Sequence, residues 1–375
     1  MPNTDPAPAA RIDELDTPAV LVDLEALERN LAEMAARAAR AGVRLRPHAK
    51  THKTTWIARE QIRHGAAGLT LAKLGEAEVM ADAGIDDILV AYPIVGEAKL
   101  ARLRQLATRV RVIVALDDVA TAANLAAVGR SLPRPLEVYV EVDSGLHRCG
   151  RPPGSESAEL AERVARLPGL RLLGLMTHAG HASRVPDVEG RRAVALEEAR
   201  ALVETAALLA DRGIEVEELS VGSTPTAAHV AEVRATYPRI TEIRPGTYVF
   251  NDANQVALGT ASVADCALRV LVTIVSRPAP DRAVADAGTK TLAADLGIAG
   301  GFGLVRGHPE VRVEALTEEH PVIRIPPETP WRIGDRIEIV PNHACVVPSL
   351  ADRLIGIRGD RVERAIPVEA RGRNR

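Results

Sequence analysis

A chain of 375 residues with 46% hydrophobic content can bury a large core, and its length predicts two domains or one barrel with an addition. The net charge of -3, with both signs spread along the chain, excludes the basic footprint of a nucleic-acid binder, and no apolar run reaches the roughly 18 residues of a membrane span. Cys149, Cys266 and Cys345 make no disulfide framework, and residues 1–11 lack the apolar stretch of a secretory signal, so a cytoplasmic setting is expected.

From about residue 18, short β-branched runs alternate with longer helical patterns. Strands are predicted at 19–22, 43–45, 68–71, 87–90, 110–114, 136–140, 172–176, 216–221 and 240–243, with helices between them such as 24–41, 54–64 and 74–83. Strands that alternate with helices predict a parallel sheet, and so many units in so short a span favour a closed barrel over an open sheet. The pattern changes near residue 255. Strand-like runs separated by Pro/Gly turns then predict a second, mostly β domain. The expected fold is therefore α/β: a (β/α)8 TIM-type barrel followed by a mostly β C-terminal domain. The expected boundaries are a flexible N-terminus (1–15), the barrel (16–254), the β-rich domain (255–370) and a basic tail (371–375), and a strand of the β-rich domain is allowed to come from the N-terminus.

In such a barrel the active site lies at the C-terminal ends of the strands. Five of those ends carry polar or basic clusters: His48, Lys50, His52 and Lys53; Asp143 to Gly150; Thr177 to His181; Gly222 to Thr226; and Arg244 to Tyr248. Lys50, just past an apolar strand and among other basic residues, is a Schiff-base candidate, because neighbouring positive charge favours the neutral amine. The segments Gly222-Ser223-Thr224 and Gly246-Thr247 suit an anion: glycine lets backbone approach closely, the hydroxyls donate, and late barrel loops are a usual phosphate site. His343-Ala344-Cys345 follows a predicted strand, and continued extended geometry would put both side chains on one side. A nitrogen–sulfur pair suits zinc rather than manganese, and two protein ligands imply an open, catalytic coordination. The glycines around Phe302 lack the spacing and the strand–turn–helix setting of a dinucleotide loop.

In order, the segments Arg46-Pro47-His48-Ala49-Lys50-Thr51-His52-Lys53, Arg244-Pro245-Gly246-Thr247-Tyr248 and Pro341-Asn342-His343-Ala344-Cys345 resemble the alanine racemase-like, fold-type III pyridoxal-phosphate (PLP) enzymes. More narrowly, they resemble the D-serine dehydratase / D-threonine aldolase family. The resemblance implies that Lys50 bonds the cofactor and moves the Cα proton. It places Arg148 near the cofactor's phenolic oxygen, His178 beside the pyridine ring and Arg244 at the pyridine nitrogen. It assigns Gly222, Ser223, Thr224, Gly246, Thr247 and Tyr248 to cofactor binding, and His343 and Cys345 to a divalent metal. His178 and His181 are the remaining candidate bases. Residues 249–375 contain no tyrosine, which argues against the two-base racemase route. His-x-Cys resembles the zinc pair of the dehydratases, where the aldolases more often show His-x-Asp.

The resemblance thus implies a PLP- and metal-dependent lyase of D-β-hydroxy-α-amino acids. D-serine dehydration to pyruvate and ammonia ranks first, and D-threonine cleavage to glycine and acetaldehyde second. Racemisation and a non-catalytic PLP carrier rank lower. The expected partners are a small D-amino acid and a second copy of the chain in a homodimer, with neither nucleic acid nor membrane.

Overall fold

The computed structural model describes residues 11–375 and divides them into two compact units. One holds Glu33–Lys50, Ile57–Gly246 and Gly372–Arg375; the other holds residues up to Ala32, Thr51–Trp56 and Thr247–Arg371. The first predicted strand, β1 (Ala19–Asp23), is not a barrel strand. It lies in the second unit, antiparallel to 268–271 and parallel to 355–357. Val20, Leu21 and Val22 are all buried, and a run buried on both faces reads alike in a barrel and in the middle of an antiparallel sheet. Helix α1 (Leu24–Ala41) follows it.

The barrel has eight strands: β2 (Arg44–Leu45), β3 (Leu69–Leu71), β4 (Asp87–Val90), β5 (Arg111–Leu116), β6 (Leu136–Glu141), β7 (Leu170–Met176), β8 (Glu218–Val221) and β9 (Glu242–Ile243). They run parallel in the order β2-β9-β8-β7-β6-β5-β4-β3. A parallel bridge from His48 to Thr70 closes the ring, with Thr70 N–H donating to the Pro47 carbonyl at 2.8 Å. The connecting helices are α2 (Thr55–Arg63), α3 (Leu74–Asp82), α4 (Glu97–Ala107), α5 (Val119–Gly129), α6 (Ser155–Ala165), α7 (Val188–Ala210), α8 (Thr224–Ala227) and α9 (Val230–Thr236). Aspartates start two of them: Asp118 accepts from Ala120 N–H at 2.7 Å and Asp187 from Gly190 N–H at 2.6 Å.

Leu89, Ile113, Ala115, Tyr139, Leu173 and Met176 form a packed layer, each large apolar side chain contributing about 1.5–3 kcal/mol. Charge also enters the barrel. Arg46 is fully buried, with Nε 2.8 Å from Glu242 and a terminal nitrogen on Asp87, while Glu242 also accepts from Ser220 Oγ at 2.7 Å. Buried charges persist only when paired in this way.

The β-rich unit is one nine-stranded sheet. Besides β1 it contains β10 (Leu268–Ala279), β11 (Arg282–Ala285), β12 (Leu304–Val305), β13 (Arg312–Leu316), β14 (Pro321–Arg324), β15 (Arg336–Val340), β16 (Arg353–Arg358) and β17 (Arg361–Pro367). Leu21, Leu271, Ile355, Ile357 and Val362 make one of its cores. Residues 247–254, expected in the barrel, belong to this unit.

Both chain ends are more structured than the composition suggests. Residues 1–10 of the expected flexible segment lie outside the described residues, but Ile12 N–H donates to the Asp360 carbonyl at 2.9 Å and Ile12–Glu14 form a helical turn. The tail docks on the barrel unit. The Arg375 carbonyl accepts Gly75 N–H at 2.8 Å, one of the first-turn amides of α3 that has no partner within the helix, and Arg102 at 3.1 Å. Among the described residues no helix is long and apolar enough to cross a membrane.

Candidate active site

The barrel unit gathers most of the predicted rim residues at the C-terminal ends of β2, β6, β7, β8 and β9. Lys50 sits in a single helical turn, Ala49–Thr51, directly after β2. Its N–H points to His48 Nδ1 at 3.4 Å, and His48 N–H donates to the Pro245 carbonyl at 2.9 Å, so the end of β9 fixes the Lys50 turn. Arg244 is buried at the end of β9, where it donates to the Ser220 hydroxyl and the Thr177 carbonyl.

The electrostatics identify one shared space. Burial, then Lys50, His178, Arg244 and Arg148, pushes His48 well below the usual imidazole range. Burial, Lys50, Arg244 and Arg148 likewise pull His178 down to about 3. Both rings are therefore neutral, and both sense the same three cations. Arg148 itself is exposed on the loop after β6. Burial raises the carboxyls of Glu141 and Glu198 nearby, Glu198 to about 7, which moves them towards the uncharged form. The result is a cationic cleft, which attracts an anion.

The phosphate-loop candidates divide. Gly222 has φ +103, and a Cβ there would lie 3.3 Å from Arg244 N, so the position favours glycine. Its N–H, expected to face an anion, is instead taken by Glu198 Oε2 at 3.2 Å. Ser223 caps α8, which has only four residues, and its own N–H donates to Thr226 Oγ1 at 2.9 Å. Its hydroxyl is 3.1 Å from the same oxygen. Thr224 opens α8, and Gly246 ends the barrel unit. His181 lies in the turn Gly180–Arg184, with a buried Nδ1 that has no hydrogen-bond partner among the described residues. Burial lowers its pKa.

The remaining candidates belong to the β-rich unit. Thr247 and Tyr248 form a helical turn, Tyr248 buried. His343 and Cys345 do meet, but not as neighbours on an extended strand: β15 ends at Val340, and 342–346 turn. His343 is pushed up to about 11, first by the Cys345 thiolate and then by Asp252. Asp252 Oδ2 is 3.3 Å from His343 Nδ1 and accepts Ala344 N–H at 3.1 Å, while Oδ1 caps helix α10 (Ala253–Ala257) through Gln255 N–H at 2.9 Å. Cys345 Sγ is 3.1 Å from Thr51 Oγ1 and 3.7 Å from Thr247 Oγ1. Among the described residues, no group of three His, Cys, Asp or Glu side chains forms a closed metal cage.

Asp252, Thr51, Ser220 and Glu198 escaped the sequence reading. Only Glu198 left a readable trace: it falls on the buried stripe Arg191, Ala195, Glu198, Leu202, Thr205 and Leu209 of α7, where a carboxylate is out of place.

Comparison with known proteins agrees with this fold. The alanine racemase N-terminal domain matches residues 22–254, and the serine dehydratase domain matches 267–357, which includes His343 and Cys345. The chain is 36% identical to a D-threonine aldolase from Arthrobacter sp, with 98% of this chain and 95% of that one aligned. The crystal structure of a D-threonine aldolase from Filomicrobium marinum is similar at TM-score 0.89 and 36% identity, covering 98% of this chain and 99% of that one. The D-threo-3-hydroxyaspartate dehydratase from Delftia sp. HT23 is similar at TM-score 0.88 and 33% identity, covering 95% and 98%. That dehydratase has also been solved with alanine replacing a histidine and, separately, a cysteine two residues further on, the latter in a metal-free form.

Proposed function

Since the chain belongs to the alanine racemase-like, fold-type III family of PLP-dependent lyases, acting on D-amino acids, we propose that it is a metal-assisted dehydratase of D-β-hydroxy-α-amino acids, with D-serine as substrate. The observation that carries the choice is the meeting of His343 with Cys345, backed by Asp252. The same two residue types, two apart, are those substituted in the related dehydratase.

The residues fit both groups. Three cations and two neutral imidazoles share a cleft whose carboxyls are shifted towards neutrality, which suits a phosphate ester. PLP, when bound, supplies an electron sink that makes the substrate Cα–H acidic. Lys50 would bond it, Arg244 would face its ring nitrogen, Arg148 its phenolic oxygen, and Ser223, Thr224, Gly246, Thr247 and Tyr248 would serve the phosphate. A divalent ion, with zinc suiting an imidazole–thiolate pair, would be held by His343 and Cys345 and supply a Lewis acid for the β-hydroxyl. Asp252 would orient the imidazole through Nδ1.

The protein's own part in the reaction follows. Lys50 Nζ takes the proton from Cα. His178 stays neutral, so it orients and does not act as an acid. Arg244 is held rigidly by Ser220 and Thr177 and keeps its positive charge fixed. Lys50 passes that proton on to the β-hydroxyl, which leaves as water, and the enamine product takes up water to give pyruvate and ammonia.

D-threonine cleavage is the second reading, favoured by 36% identity to D-threonine aldolase along nearly the whole chain. In it His181, whose Nδ1 has no partner among the described residues, would take the hydroxyl proton. Product analysis separates the two: pyruvate from D-serine supports the dehydratase, and glycine with acetaldehyde from D-threonine at the higher rate overturns it. A homodimer is part of the proposal, and light scattering at the mass of one chain would remove it.

A further inference from the structure

Glu198 lies on α7, the helix that joins β7 to β8, and is 2% exposed. Its carboxylate accepts Gly222 N–H, just after β8, at 3.2 Å. Ala179, just after β7, and the Thr226 hydroxyl of α8 also present donors towards it and favour its charged form. Three donors from three segments thus converge on one carboxyl. The Gly222 backbone also favours the charged form of the His178 ring, so the ring faces this turn. Glu198 and His178 thus both engage the Gly222 backbone, Glu198 through its N–H. The charge acting on it is Arg244, itself engaged by Ser220 and Thr177. A helix packed for stability alone would place an apolar residue at this point of its buried stripe, since an isolated buried carboxylate is unfavourable.

We propose that Glu198 is a positioning residue of the cofactor site. It ties the loop of His178 and His181 to the turn of Gly222 and Ser223, and so sets the ring of His178 and the shape of the anion-facing turn. The inference rests on the PLP reading above. Glutamine at this position keeps the shape but presents one acceptor oxygen where the carboxylate presents two, so one donor loses its partner.

The test uses purified holoenzyme, Glu198→Gln, and Glu197→Gln as an exposed control on the same helix. Three quantities are read: the PLP dissociation constant, the induced circular dichroism of bound PLP, and the melting temperature of each apoenzyme at pH 8. The expected result is PLP affinity weaker by about tenfold or more in Glu198→Gln, the range of one lost charge-assisted hydrogen bond. The dichroic band should change, with the apoenzyme melting no lower than wild type and the control unaffected. Wild-type affinity and dichroism in Glu198→Gln would overturn the proposal. So would a loss of affinity that merely parallels a loss of melting temperature. If Glu198→Gln does not fold, Glu198→Asp keeps the charge but cannot reach all three donors. It should weaken PLP binding as well, and wild-type affinity there is equally fatal. Failure of the wild type to bind PLP would overturn this proposal and the underlying function together, whereas normal binding with an indifferent Glu198→Gln overturns this one alone.

Discussion

Exchanging Glu198 for Gln should remove a pH-dependent load on the barrel. Burial holds the Glu198 carboxyl at about 7, against an ordinary 4.5. The folded state therefore binds this proton more tightly than the unfolded chain. Its stabilising contribution is complete below pH 4.5 and is lost as pH rises through 7. At 1.36 kcal/mol per pKa unit, the full swing is about 3 kcal/mol, most of which falls between pH 5 and pH 8. For a unit of this size that corresponds to about 5–10 °C in melting temperature. Glutamine does not titrate. The melting temperature of wild-type apoenzyme relative to Glu198→Gln should thus fall by that amount between pH 5 and pH 8, whatever offset the lost hydrogen bond adds at both. A difference between the two proteins that stays constant across this range would refute the reasoning. It would mean that Glu198 is hydrated or ionised throughout.

Other outcomes follow from the same geometry. Lys50→Ala should lose the absorbance of bound PLP near roughly 420 nm, and persistence of that band would remove Lys50 from its assigned role. Asp252→Asn should weaken metal binding about 10–100-fold in a chelator competition, because the imidazole of His343 loses its orienting carboxylate; unchanged affinity would contradict the metal assignment. Arg46→Met should destabilise the apoenzyme by about 3–5 kcal/mol in denaturant titration, since Glu242 would be left buried without its closest cationic partner, and a change below about 1 kcal/mol would contradict the weight given to this pair.

Much of this architecture was legible in the sequence, for physical reasons. Helix and strand periodicities differ, so the alternation from 43 to 243 predicted the barrel strands closely. The rim clusters were legible because barrel chemistry gathers at strand ends. Local pattern cannot say which sheet takes up a strand buried on both faces, so 19–22 reads as one of the barrel series even though an N-terminal strand in the β-rich domain stays open. The His343–Cys345 pair was found from its residue types, although its backbone turns instead of extending. Asp252 stands 91 residues before His343, and nothing in the sequence links a helix-capping aspartate to that imidazole. That Glu198 meets the Gly222 N–H is not legible either, because Glu198 lies on the preceding helix and approaches only in the folded barrel.

The fate of D-serine decides between dehydration and cleavage. Holoenzyme supplied with D-serine, L-serine and D-threonine should form pyruvate and ammonia from D-serine, none from L-serine, and less glycine and acetaldehyde from D-threonine than pyruvate from D-serine. Chelation should abolish the pyruvate, and added zinc should restore it. Rapid release of glycine and acetaldehyde from D-threonine with no pyruvate from D-serine, or pyruvate formation indifferent to the chelator, would contradict the metal-assisted dehydratase.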